Sequence, residues 1–159
     1  MENTYQRRYQ ELKRCLNRIE KIYNWEVIKW EGEDSLQSPK DLVLNFFRVW
    51  YELKELLKLV DWFWWYNWVV EWFCKQTPVL LLALDIANSY KHGVLHPGRK
   101  RSSYSIWEIN TWIHVFDPTW KPDRTELTIE IDWIKKDCFP LCKLVFKHWK
   151  DFLKENDIL

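Results

Sequence analysis

The stretch Thr77–His92, TPVLLLALDIANSYKH, decides how the rest of the chain must pack. Thr77 has the side-chain oxygen that an N-cap needs, and Pro78 takes the first helical position, where its missing N–H costs nothing. Val79 to Leu84 carry no polar side chain, so every face of those turns needs cover, which a surface helix would not require. The character then changes. Asp85, Asn88 and His92 fall at i, i+3 and i+7 on one helical stripe with Lys91 beside it, and Gly93 ends the helix as a C′ residue. The segment reads as a buried central helix whose last two turns hold either a satisfied polar network or a site.

Outward from it, Tyr5, Tyr9, Leu12, Leu16, Ile19 and Tyr23 recur at three- and four-residue steps between charges, the mark of a long helix with a narrow apolar seam. Glu31 to Gln37 break the pattern. Ser38, Pro39 and Asp41 then form a capping box, and Val43, Phe46, Trp50, Leu53, Leu57 and Val60 make a second seam. Arg48, Glu52 and Glu55 line up on another face and read as a solvated, salt-bridged surface. Two such helices joined by a short loop pack antiparallel. A third helix is expected over about Trp64 to Lys75.

Beyond Gly93 comes a basic, turn-rich loop, HPGRKRSS. Tyr104 to Phe116 and Glu126 to Ile131 alternate β-favouring residues on either side of the turn DPTWKPD. They predict a two-stranded antiparallel hairpin at about 103–132 whose apolar face lies on the helices, since an unsupported hairpin is marginal. Asp137 caps a last helix with Pro140 in its first turn and a seam of Cys138, Leu141, Val145, Trp149 and Phe152. The fold class is mainly α (α+β): an antiparallel helical bundle, residues 1–159 in one domain, with a β-hairpin before the C-terminal helix.

Composition excludes several function classes. With 24 Lys and Arg against 23 Asp and Glu the net charge is +1, so no global field favours nucleic acid or an acidic membrane. Residues 1–20 are charged throughout, which excludes a secretory signal there and points to a cytoplasmic protein with reduced thiols at Cys15, Cys74, Cys138 and Cys142. A zinc site from Cys138, Cys142, His114 and His148 lacks ligand spacing, so neither metal nor cofactor is expected. Thirteen Trp against three Gly is the unusual count, with five Trp between Asp61 and Phe73. The uncharged run Trp62 to Val70 falls far short of the roughly 18 residues that a membrane span needs. So many indoles exceed what one bundle of this size can bury, and an exposed patch among Trp62, Trp64, Trp65 and Trp68 predicts a homodimer or another protein partner.

There is no Gly-rich phosphate loop, no GxSxG and no paired-carboxylate signature. What remains is local. His92, Asn88 and Asp85 are the candidate catalytic residues, an imidazole with two polar neighbours on one stripe of the helix. Lys91, Arg48, Arg99, Lys100 and Arg101 are the candidate binding residues, cations of the kind that hold a phosphate. The competing reading makes the same stripe a hydrogen-bonded structural network.

DLVLNFFRVWYELKELL, then ALDIANSYKH about thirty residues on, a basic loop, a β-hairpin and a closing helix with a Trp resemble a family of small bacterial proteins. Those proteins carry a helix resembling FFxxxxHLxDW and another ending DxANxxKH, and are similar to the HEPN (higher eukaryotes and prokaryotes nucleotide-binding) superfamily. The resemblance covers roughly residues 38–156. It implies a HEPN-like bundle and a role in RNA cleavage, toxin–antitoxin systems or phage defence. Asp85, Asn88, Lys91 and His92 match the second motif, whereas Glu52 and Glu55 stand where the first has His and Asp. Upstream of His92 stand Ala87 and Asn88, whereas HEPN ribonucleases have an Arg followed by four to six residues and then His. The expectation is therefore an interaction module, with a ribonuclease of degenerate site as the alternative.

Overall fold

Five helices and three strands follow one another in the computed structural model, which describes residues 4–23, 39–59, 66–92, 106–114, 124–131 and 134–158. The helices are α1 (Thr4–Tyr23), α2 (Pro39–Lys58), α3 (Tyr66–Gln76), α4 (Pro78–His92) and α5 (Cys138–Glu155). The strands are β1 (Ile106–His114), β2 (Arg124–Ile131) and β3 (Ile134–Asp137). Ser38 of the expected capping box, the turn 117–123, the loop from Gly93 to Arg101 and Trp62, Trp64 and Trp65 lie outside the described residues.

Local chemistry sets the helix ends. The Thr77 carbonyl accepts from the amides of Leu80 and Leu81 at 2.9 and 3.2 Å, as the residue before Pro78 should. Asp137 is extended, and its carboxylate accepts from the Phe139 amide at 3.0 Å, the N-cap that α5 was expected to have. The far end of α5 closes without glycine. Asp157 takes the left-handed conformation at φ 54°. Its amide donates to the Lys154 carbonyl and that of Ile158 to the Leu153 carbonyl, while Ile158 packs on the core. This is a Schellman closure, with Asp in the place that Gly usually fills.

Helices α1 and α2 run antiparallel, for Arg8 meets Glu52 while Cys15 meets Asn45. The hub of the bundle is α2, which touches α1, α3, α4, α5 and β1. This corrects the expectation that everything packs around α4. A single seam was legible in α2, but Leu42, Phe47, Val49 and Lys54 are buried as well, so the helix is covered on more than one face. Helix α4 is nevertheless interior: Leu80 and every residue from Leu82 to Ala87 are buried.

In the sheet, β2 lies between β1 and β3, both antiparallel to it. The expected hairpin is β1–β2, with Trp112 opposite Glu126 and His114 opposite Arg124. Its placement on the bundle is clear, because β2 touches α1 and α5 and Ile129 is fully buried. Strand β3 was not anticipated. It is four residues long, carries exposed Lys135 and Lys136, and runs straight into α5. Two lysines on a short edge strand hide its β character from a hydrophobicity reading while discouraging edge-to-edge pairing.

Candidate functional site

The polar stripe of α4 splits into what is placed and what is not. Asp85 is fully buried at mid-helix, and Asn88, one turn on, is half-buried. Lys91 and His92 are the last two residues of α4, and nothing of their side chains is described. Arg99, Lys100 and Arg101 lie outside the described residues. Arg48 belongs to a different group. Its guanidinium donates to Asn45 Oδ1 at 3.1 and 2.7 Å and lies 3.7 Å from Glu52 Oε1. Arg8 approaches Glu52 from α1 at 3.2 Å and also pairs with Glu11 at 2.6 Å, while Asn45 donates to Cys15 Sγ at 3.4 Å. This ladder ties α1 to α2. The face expected from Arg48, Glu52 and Glu55 is thus divided: Glu52 pairs with Arg8 of α1 as well as with Arg48, and Glu55 turns to lysines of its own helix.

Those lysines form a cluster that the sequence reading missed. Lys54 has 1% of its side chain exposed, yet its ammonium donates to Glu55 Oε1 at 2.6 Å and to Glu71 Oε1 of α3 at 2.8 Å. Lys58 donates to the same Glu71 oxygen at 2.8 Å and to Glu55 at 3.1 and 3.2 Å. The Tyr51 ring lies 5.4 Å from the Lys54 ammonium. Two cations and two carboxylates thus close the α2–α3 seam. A signal was available: Lys54 falls four residues after Trp50 and three before Leu57 on a buried stripe, and Glu71 is the one acid inside WFWWYNWVVEWFC.

Burial alone would raise the Glu71 carboxyl, but the hydrogen bonds and charges of Lys54 and Lys58 outweigh it and hold it at about 2. Glu55 is likewise lowered against its own burial, and Lys58 is raised against its own. Because the folded-state value of Glu71 lies below its ordinary 4.5, its contribution to stability is complete above about pH 4.5 and is lost as pH falls towards 2. Urea midpoints of wild type and Glu71→Gln should accordingly differ at pH 7 and converge between pH 4.5 and 2. An undiminished gap at pH 2 would show that the charge is not what Glu71 contributes.

No protein-family model, curated protein or solved structure matches the chain. Its chemistry is read from the side chains themselves. Among the described residues no three His, Cys, Asp or Glu side chains converge as a metal site would require. No disulfide joins the four cysteines, and all four are buried. Burial, aided by Asp137, pushes the Cys138 thiol to about 12, and burial with neighbouring Cys138, Asp137 and Cys15 raises Cys142 well above its ordinary value. Buried thiols held protonated in this way are poor nucleophiles at neutral pH.

The remaining feature is the outward face of α3. Trp68 is 80% and Trp72 58% exposed, one turn apart, whereas Trp50 and Trp149 are fully buried. Asn67, Lys75 and Gln76, all exposed, edge the two indoles. Trp68 was among the indoles expected in an exposed patch; Trp72 was not. No helix among the described residues is long and apolar enough to cross a membrane.

Proposed function

We propose that this protein is an interaction module of HEPN-like type that assembles with a second copy of itself through α3, in the cytoplasm and in the bacterial defence or toxin–antitoxin setting that the motif resemblance implies. The supporting observation is the pair Trp68 and Trp72, left in solvent while other indoles of the same chain fill the core. At these exposures the two rings offer roughly 200–350 Å² of aromatic surface. That is less than half of the roughly 800 Å² per partner in a standard interface, so they form its centre and neighbouring residues its rim. A net charge of +1 opposes self-association hardly at all. Light scattering of the wild type at high micromolar concentration should return the mass of two chains, and Trp68→Ser/Trp72→Ser that of one. A single-chain mass for the wild type, or an unchanged mass for the double variant, would overturn the reading.

A second reading, a ribonuclease with a degenerate site, draws on the buried Asp85 and half-buried Asn88, whose stripe leads to Lys91 and His92. Incubation with mixed RNA beside a His92→Ala control decides it: cleavage lost in the variant would replace the first reading with this one.

A further inference from the structure

Helix α3 is rolled so that it leaves its two largest apolar side chains in solvent and takes one of its charges inward. Its polar residues Asn67, Glu71 and Lys75 recur every four positions and form one stripe, which an ordinary surface helix would aim at solvent. Asn67 and Lys75 do lie in solvent, but Glu71 between them is drawn to the α2 seam, Val70 and Cys74 are fully buried, and Trp68 and Trp72 face out. The apolar effect would favour burying the larger indoles. Phe73 does not fix the roll by itself. It lies 4.4 Å from Phe152 and 6.1 Å from Trp149, ring centre to ring centre, but an incoming Trp72 ring offers the same kind of contact. Glu71 is the charged, directional constraint on the roll. Glu71 and Trp72 are adjacent, so the roll that carries Trp72 towards the bundle carries Glu71 away from Lys54 and Lys58 and leaves the Lys54 ammonium inside with Glu55 alone.

We infer that the Lys54–Glu71–Lys58 cluster is a rotational lock that sets the roll of α3 and so keeps Trp68 and Trp72 presented for docking. Lys54 and Glu71 are positioning residues here. Besides the stability that Glu71 contributes, the cluster selects one orientation of the helix, as buried ion pairs can. The lock deepens the docking reading but is tested apart from it. The chain is labelled with fluorotryptophan in a Trp68→Ser background, which keeps it a single chain, and the Trp72 resonance is assigned by Trp72→Phe. Relaxation of that resonance by a soluble gadolinium chelate reports its exposure.

Adding Lys54→Met and Glu71→Gln should reduce that relaxation several-fold in a protein that still melts cooperatively; Lys75→Met, outside the cluster, should not change it. Equal relaxation with and without the cluster would overturn the lock. Where the combined variant fails to fold, Glu71→Gln alone, which leaves Lys54 paired with Glu55, is read in the same way. A wild type that scatters as a single chain removes the docking reading while leaving this result standing.

Discussion

Trp149→Ala should lower the unfolding free energy by about 3–5 kcal/mol, among the largest effects that a single substitution can have here. Trp149 is fully buried on α5 at the meeting of three helices. It stands edge-on to Trp50 of α2 at 5.8 Å, stacks on Phe152 at 5.4 Å and lies 6.1 Å from Phe73 of α3. Removing it leaves a void whose walls belong to separate elements and cannot collapse together. In a chain of this size the loss corresponds to a melting temperature lower by roughly 6–20 °C. Trp149→Phe separates ring from donor. The Nε1–H groups of Trp149 and Trp50 are buried with no acceptor among the described residues. Phe therefore keeps most of the packing and removes an unsatisfied donor, and its cost should be well below that of Ala. Calorimetry of both variants checks this, and equal losses would mean that the N–H has an acceptor after all.

What was legible in the sequence was what depends on neighbours a few residues apart. Thr77–Pro78 and Asp137 marked helix starts because capping involves only the first turn, and the seams of α2 and α5 followed from helical period. What was not legible depends on distant partners. The burial of Lys54 depends on Glu71, 17 residues away, which crosses from α3 to meet it. Arg48, Glu52 and Glu55 read as one salt-bridged face because their spacing suits one, yet Arg8 of α1 claims Glu52, and Lys54 and Lys58 claim Glu55. The candidate site divides in the same way. The stripe of Asp85 and Asn88 followed from spacing alone, and the full burial of Asp85 agrees with the buried helix expected there, but spacing did not choose between a polar network and a site. Exposure of Trp72 ran against its composition, because hydrophobicity argues for the interior and only its neighbour Glu71 argues otherwise.

Leu84→Ala should cost about 2–5 kcal/mol, in the upper part of that range, and it tests whether α4 is as deeply interior as its uninterrupted apolar run implies. Leu84 is 1% exposed on a helix that α2, α3 and α5 all touch. The lost transfer energy is therefore joined by a cavity that none of those helices can fill without leaving the others. The contrast that makes the result informative is Leu81→Ala. Leu81 belongs to the same apolar run but is only partly buried, so solvent or slight side-chain movement can fill its place. The same chemical change should cost clearly less there. Denaturant midpoints of the two variants, at unchanged slope, give the comparison. Equal and large losses would mean that α4 is enclosed on all sides, as its sequence alone suggested. An unchanged midpoint for Leu84→Ala would mean that the packing of α4 against α2, α3 and α5 is not what holds the bundle together.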